Sequence, residues 1–277
     1  MDIERQANAK INLALDVLSE REDGYHEIDT IMQEIDLHDT LSIEKGRGGF
    51  VLTCDHPDLK LDDSNLIYKA WRALRDRAEE DSVVIELTKR IPIAAGLAGG
   101  STDAAATLLG LNELWSLHLS EEELKDIAGE LGSDVPFFIK GGTARACGRG
   151  EILTPLKNYY GKALLLVNNG ESLSSRYVYQ HIKPNGKVRI SNLIDLMSYD
   201  SPKAYSLMQN HLESVSFQEV PELAKIKREL EEQGAQLALM SGSGPTMFGI
   251  FNDLEDAQKA AEYFVDRYAF VQVARTV

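Results

Sequence analysis

Residues 90–107 read RIPIAAGLAGGSTDAAAT, an apolar loop rich in alanine and glycine that leads into a predicted helix. Its glycines, Gly96, Gly99 and Gly100, permit backbone angles and a close approach that a Cβ atom would obstruct. Free amides and the positive end of a helix together form a site for an anion such as phosphate. A simple tight turn stays open as the alternative, because turns also use glycine.

The loop matches neither of two widespread phosphate-binding motifs. It lacks the GK[ST] ending of a P-loop, and its glycine spacing differs from the GxGxxG fingerprint of dinucleotide-binding folds. The preceding residues, 82–93, predict a strand. After the loop, a helix is predicted from apolar residues at Ala104, Ala105, Leu108, Leu109 and Leu111. The loop therefore connects a strand to the start of a helix.

An antiparallel β region is predicted upstream of the loop. Apolar residues alternate with the period of a strand at Ile11, Leu13, Leu15 and Val17. Further short strands are predicted at residues 30–37, 39–46 and 49–55. A helix is then predicted over residues 64–78, with Ser64 or Asn65 able to cap its first amides.

The second half of the chain has a different order of elements. Residues 155–162 (PLKNYYGK) interrupt the pattern and mark a boundary. Beyond them the predicted order is a strand, then a helix, two strands, a helix and a strand, which fits a two-layer α/β sandwich. We therefore predict an α+β protein with two domains, residues 1–157 and 158–277.

Within the first domain, Ser120 and Glu123 predict a capping box and Gly132 a helix end.

The composition limits the classes of function. The 277 residues carry 29 Lys and Arg against 44 Asp and Glu, a net charge of −15, which argues against a nucleic-acid partner because phosphate backbones need a basic face. No apolar run is long enough to cross a membrane. The two cysteines have no metal-ligand or disulfide-type spacing. We expect a soluble cytoplasmic protein.

Two charged residues, Lys10 and Asp134, allow both a structural and a catalytic interpretation. Asp134 precedes a Val-Pro pair, where an aspartate usually caps a turn or helix. It could instead accept a hydroxyl proton near the phosphate site. Lys10 interrupts an apolar strand, where a lysine is usually solvated. At the edge of a cleft it could instead stabilise phosphate charge.

Two further segments carry aromatic residues or glycines with two interpretations. Tyr25 and His26 lie in a turn, where they could cover a sheet edge or hold a base by stacking and hydrogen bonding. Gly242 and Gly244 lie between two predicted strands. They could form a glycine hairpin or a second backbone wall against a phosphorylated ligand.

Taken together, six ordered segments of the chain resemble the GHMP small-molecule kinases. They are AKINLALDV (9–17), DGYHEIDTIMQ (23–33), SNLIYKA (64–70), IPIAAGLAGGSTDAAA (91–106), GSDVPFFIKGGTARACGRGE (132–151) and MSGSGPTMFGIF (240–251). Their order and spacing match throughout, so the resemblance covers essentially the full chain. It implies an amino-terminal domain like domain 2 of ribosomal protein S5 and a ferredoxin-like carboxy-terminal domain. ATP and substrate would meet in the cleft between them.

The resemblance implies a kinase that phosphorylates a small-molecule alcohol. The γ-phosphoryl of ATP would pass to the C2 hydroxyl of cytidine diphosphate methylerythritol, a step in the synthesis of isoprenoid precursors. Lys10 and Asp134 match the catalytic pair of the family. Asp134 would take or orient the hydroxyl proton, while Lys10 would hold Asp134 and offset charge on the phosphoryl group. Mg²⁺ would neutralise the ATP phosphates, but the sequence assigns neither its ligands nor an oligomeric state.

The resemblance also implies a set of binding residues. Asn65 matches a position near the adenine. Substrate-site positions are matched by Asn12, Tyr25, His26 and Tyr177, of which Tyr25 and His26 would lie toward the cytosine. The ATP phosphate loop would consist of Pro92, Ile93, Ala94, Ala95, Gly96, Leu97, Ala98, Gly99, Gly100, Ser101 and Thr102.

The chain departs from the family pattern at several positions. Ala98 replaces the middle glycine of the phosphate loop, which we expect to be tolerated if its φ is negative, and Thr102 replaces a serine. Changes at 168–177 and 210–211 lie on the substrate side, so a different small alcohol stays an alternative substrate. A non-catalytic nucleotide-binding protein of the same fold is a second alternative, which the retained catalytic pair argues against.

Overall fold

The computed structural model describes residues 2–277, which group into two compact units. Unit 1 comprises residues 2–9, 37–93 and 98–141. Unit 2 comprises residues 10–36, 94–97 and 142–277. Each unit gathers segments that are far apart in the sequence, and the division into domains 1–157 and 158–277 stays a prediction.

Two long strands contribute residues to both units. They are β1 (Ile3–Glu20) and β2 (His26–Lys45). The two short strands expected at 30–37 and 39–46 are wrong, since β2 is continuous. Asp39 interrupts the apolar alternation in the sequence, yet in the structure it is buried and accepts hydrogen bonds from two backbone amides, so the strand continues.

Unit 1 combines helices with a small sheet. Its own elements are β3 (Phe50–Cys54), α1 (Leu66–Leu74), β4 (Val83–Thr88), α2 (Gly99–Leu114), α3 (Glu121–Leu131) and α4 (Phe137–Lys140). Strand β4 pairs in parallel with β3 and antiparallel with the second half of β2. Helix α2 contacts α1, α3 and α4. Gly110 lets α2 approach the sheet, because a Cβ atom there would collide with Ile43. The predicted strand and helix on either side of the loop are confirmed.

Helix α3 begins and ends where the sequence predicts. The Ser120 hydroxyl accepts a hydrogen bond from the Glu123 amide, and the Glu123 carboxylate accepts one from the Ser120 amide at 2.9 Å. This reciprocal capping box satisfies two amides that a helix start leaves without partners. Gly132 is the C-cap of the same helix.

Unit 2 contains part of the sheet to which β2 belongs and a second, separate sheet. The first half of β2 pairs with β5 (Thr143–Gly148), which pairs with β6 (Ile152–Pro155). The second sheet consists of β7 (Ala163–Asn168), β8 (Leu237–Met240), β9 (Met247–Phe251) and β10 (Phe270–Arg275). The helices of this unit are α5 (Ser175–His181), α6 (Ile190–Ser198), α7 (Glu213–Glu219), α8 (Glu222–Glu232) and α9 (Leu254–Phe264).

The second sheet has the predicted ferredoxin-like topology. Its strands are antiparallel in the order β10-β7-β9-β8. Helices α8 and α9 both contact these strands. Their buried apolar residues, including Ile226 and Phe264, share one core with Leu165 and Met247 of the sheet. In residues 2–277, no helix has the length and apolar character that crossing a membrane requires.

Candidate functional site

The phosphate loop enters α2 through a left-handed residue. Ala98 has φ 58° and ψ 32° and is the N-cap of α2. The condition under which we expected this alanine to be tolerated, a negative φ, is therefore not met. The amides of Ser101 and Thr102 both donate to the Ala98 carbonyl at 3.0 Å, which closes the first turn. Gly99 and Gly100 come before the residues that make these bonds. Their amides are at the start of α2, where a helix leaves its first amides without a partner within the helix.

The start of α1 lies beside the start of α2 in unit 1. A Cβ atom added to Gly100 would be 3.8 Å from Leu66 Cδ1, so the glycine has room within the protein. Of the two predicted capping residues, Ser64 and Asn65, Asn65 is the N-cap of α1: its side-chain oxygen accepts from the Ile67 amide at 2.9 Å. Its side-chain nitrogen donates to the Lys60 carbonyl at 2.7 Å. The structure thus brings Asn65 close to the start of the phosphate helix.

Asp134 lies in the turn between α3 and α4 and is half-buried. The N-cap of α4 is Pro136, so Asp134 is not the N-cap residue of that helix. The turn belongs to a set of mutually contacting helices, since α2, α3 and α4 all contact one another. The structure therefore places Asp134 in unit 1, together with the helix that begins at the phosphate loop.

Lys10 is buried in unit 2 and begins a chain of polar side chains. It is 4% exposed, so the interpretation as a solvated strand lysine is wrong. Its Nζ donates to Asn12 Oδ1 at 2.6 Å, and Asn12 Nδ2 donates to Thr30 Oγ1 at 2.9 Å. The Thr30 hydroxyl in turn donates to the Ala14 carbonyl at 2.6 Å. These bonds fix Lys10 and Asn12 on one side of β1.

The middle of the phosphate loop, residues 94–97, contacts the late glycine turn at residues 241–244 in unit 2. The Ser241 hydroxyl donates to the Gly96 carbonyl at 2.9 Å. Gly96 has φ 77°, and a Cβ atom there would collide with the Ser241 carbonyl. A Cβ atom on Gly242 would be 3.6 Å from Lys10 Nζ. The turn is therefore a wall against the loop and Lys10, as well as the connection between β8 and β9.

The aromatic residues expected at the substrate form three separate contacts in unit 2. The Tyr25 ring is 55% exposed, and the Arg149 guanidinium lies 5.0 Å from its centroid. The His26 ring lies 5.6 Å from that of Tyr179. Tyr177 stacks on His181 instead, with centroids 4.0 Å apart. Tyr179 is thus the tyrosine found beside His26, although the residue picked from the sequence was Tyr177.

The sequence reasoning missed a group of buried charges in unit 1. Lys89 Nζ bonds to the Asp39 carboxylate and lies 3.4 Å from the Asp103 carboxylate. The side chains are at most 3% exposed. The available signal in the sequence was that charged residues stand directly before and after the apolar loop. Charged side chains are seldom fully buried without a partner, so any of them that the loop buries would need a partner of opposite charge.

A second buried group lies at a position where the chain departs from the family pattern. His211 Nδ1 is 3.3 Å from the Asp16 carboxylate, and its Nε2 is 2.7 Å from Asn185 Nδ2. The Asp16 carboxylate also accepts from the Val188 amide at 2.9 Å. This departure therefore supports local packing between β1 and the segment at residues 185–188.

The chain is similar to known kinases, and two solved structures match it over nearly its whole length. The family model for the GHMP kinases N terminal domain matches residues 65–142, and that for the GHMP kinases C terminal domain matches residues 192–269. A solved structure of a 4-(cytidine 5'-diphospho)-2C-methyl-D-erythritol kinase has a TM-score of 0.87 and 32% sequence identity, with 99% of both chains covered. A homoserine kinase from Cytophaga hutchinsonii, with a TM-score of 0.77 over 100% of this chain and 94% of its own, is 18% identical and shares the fold.

Two curated relatives share one name with each other. A protein of Caldanaerobacter subterraneus subsp. tengcongensis is 43% identical over 282 residues, covering 100% of this chain and 98% of the relative. One of Thermoanaerobacter pseudethanolicus is 45% identical over 280 residues, covering 99% of this chain and 96% of the relative. Each is named 4-diphosphocytidyl-2-C-methyl-D-erythritol kinase.

Proposed function

Because the chain belongs to the 4-diphosphocytidyl-2-C-methyl-D-erythritol kinases of the GHMP kinase family, we propose that it phosphorylates the alcohol for which these relatives are named. The γ-phosphoryl of ATP passes to the C2 hydroxyl of that substrate, in the synthesis of isoprenoid precursors. The observation that carries this proposal is identity of 43% and 45% to two such kinases over nearly the full length of both chains. A cytoplasmic location and the lack of a nucleic-acid partner stay predictions.

Asp134 and Lys10 are the side chains to which we assign the chemistry. Phosphoryl transfer relies mainly on positioning and on stabilising charge. A half-buried carboxylate such as Asp134 can accept or orient the proton of the attacking hydroxyl. A buried ammonium such as Lys10 can offset negative charge on the transferring phosphoryl, and its bond to Asn12 keeps it in place.

The glycine loop supplies the site for the ATP phosphates in this proposal. The first amides of α2 and the positive helix end favour an anion there. Mg²⁺ usually takes one or two protein oxygens and otherwise binds phosphate and water. Residues 2–277 contain no group of three acidic, His or Cys side chains able to hold a metal. We propose the Ser101 hydroxyl, in the first turn of α2, as a protein ligand, and the metal would neutralise phosphate charge.

Tyr25 and His26 are the side chains proposed to hold the cytosine. Tyr25 is 55% exposed even though the Arg149 guanidinium lies over its ring, so we propose that the exposed part of the side chain stacks on the base. Backbone hydrogen bonds hold this turn, since the Arg21 amide donates to the Tyr25 carbonyl at 2.8 Å. A fixed aromatic ring binds a base at a small cost in conformational entropy.

The proposal is tested by ADP release with four alcohols. We expect turnover with 4-diphosphocytidyl-2-C-methyl-D-erythritol and none with mevalonate, homoserine or galactose. Turnover with one of the latter alone would replace the substrate, and ATP binding without any turnover would favour a non-catalytic nucleotide-binding protein. Asp134→Asn should lower kcat by at least about 100-fold and leave ATP binding intact. The matched variant Asp126→Asn, at an exposed position of α3, should keep full activity.

A further inference from the structure

Three charged side chains are buried together at the ends of the phosphate loop in unit 1. Lys89 follows β4, Asp39 lies on β2, and Asp103 lies in the second turn of α2. Lys89 Nζ bonds to Asp39 and lies 3.4 Å from Asp103 Oδ2. The ammonium is therefore shared by two carboxyl groups that are both almost fully buried.

This group connects the two ends of the loop. The Asp39 carboxylate accepts hydrogen bonds from the backbone amides of Arg90, at 2.5 Å, and Ile91, at 2.8 Å, so it fixes the chain where the loop begins. Asp103 belongs to the helix where the loop ends. Between them, a Cβ atom on Gly99 would be 2.8 Å from Lys89 Nζ, so this glycine lies directly against the ammonium. Lys89 thus sets the spacing between the strand end and the helix start.

The charges of the group do not balance if both carboxyl groups are ionised. Burial raises the pKa of the Asp103 carboxyl well above its ordinary value; the Lys89 charge opposes this shift, and the charge and hydrogen bond of Asp39 add to it. Asp103 Oδ1 is fully buried and has no hydrogen-bond partner in the described part of the chain. A buried ionised oxygen without a hydrogen-bond partner costs free energy. If Asp103 is protonated instead, the group consists of Lys89⁺, Asp39⁻ and a neutral Asp103, and its net charge is zero.

We propose that Asp103 is a positioning residue of the phosphate loop, a neutral carboxyl that holds Lys89 beneath Gly99 and adds no net negative charge next to the nucleotide phosphates. This inference rests on the proposed function, because it takes the loop to be where those phosphates bind. An ionised carboxylate in the same place would repel the phosphates.

The first test is ADP binding by calorimetry, which needs no alcohol substrate. Asp103→Asn keeps a neutral acceptor for Lys89, so we expect an ADP Kd within about twofold of the wild type. Asp103→Leu keeps neutrality and removes the acceptor, so the Kd should rise about tenfold or more, the size of one hydrogen bond to a charged group. Equal ADP affinity of Asp103→Leu and the wild type would overturn the positioning role. Wild-type ADP binding without turnover would instead remove the proposed function and leave this inference standing.

The second test reads the proton directly and needs only Asp103→Asn. A neutral Asp103 binds its proton in the folded protein and releases it on unfolding above about pH 4. From pH 4.5 to 6.5, the unfolding equilibrium constant of the wild type should therefore rise about tenfold per pH unit relative to Asp103→Asn. Lys89 and Asp39 are the charged groups that act on this carboxyl, and both are unchanged in the variant. Equal pH slopes would show an ionised Asp103 and overturn the inference, while Asp126→Asn serves as the control.

Discussion

The left-handed backbone of Ala98 gives a quantitative prediction for the phosphate loop. In this conformation a Cβ atom approaches the following carbonyl, which costs about 1–2 kcal/mol for a residue other than glycine. Ala98 has φ 58° and ψ 32°, at the centre of that region. Replacing it with glycine removes the cost but returns about 0.4–1 kcal/mol as extra entropy of the unfolded chain. Ala98→Gly should therefore increase the free energy of unfolding by about 0.5–1 kcal/mol.

The matched control is Ala73→Gly in α1 of the same unit. Ala73 is exposed and lies in the last turn of α1, so glycine there should lower the free energy of unfolding by about 0.5–1 kcal/mol. Urea denaturation at equilibrium measures both variants, and the midpoints should move in opposite directions at an unchanged slope. If Ala98→Gly is destabilised like Ala73→Gly, the left-handed conformation of Ala98 is wrong.

Three other substitutions test the capping box, the loop and the base site. Ser120→Ala should lower the free energy of unfolding by about 1 kcal/mol in urea denaturation, because the Glu123 amide loses its acceptor; an unchanged midpoint would contradict the capping box. Gly100→Ala should leave the free energy of unfolding unchanged or raise it, since the nearest atom to an added Cβ is 3.8 Å away. The same variant should raise the KM for ATP about tenfold, because the methyl group prevents the close approach of the phosphates, and an unchanged KM would place the phosphates elsewhere. Tyr25→Ala should raise the KM for the cytidine substrate about tenfold and leave the KM for ATP unchanged. Tyr25→Phe keeps the ring and should leave both KM values unchanged, so equal effects of the two substitutions would exclude stacking.

Several parts of the fold were predictable because their causes are local. The capping box of Ser120 and Glu123 needs only the spacing of two side chains on one helical turn. The order of periodic segments in the second half predicts a two-layer α/β sandwich, and the family resemblance implies its ferredoxin-like form, which the strand order confirms. The continuous strand β2 was missed because Asp39 breaks the alternation, and the amides that satisfy it lie about 50 residues away in the sequence.

The candidate site divides in the same way. The glycine loop, Lys10 and Asp134 were chosen from the sequence, and their assigned roles stay predictions. The burial of Lys10, with its bond to Asn12, could not be read from a strand pattern that usually leaves lysine in solvent. The contact of His26 with Tyr179 depends on a helix more than 150 residues further along the chain.

The sequence by itself determined the strand and the helix on either side of the glycine loop, both ends of α3, and which kinase family the ordered motifs resemble. Periodicity, capping and turn chemistry act over a few residues, so they are written in the chain. Only the tertiary structure decided that Lys89 is shared by Asp39 and Asp103, and that Ala98 is left-handed. The physical reason is that burial, charge neutralisation and backbone handedness at a loop depend on the partners that distant segments bring to it.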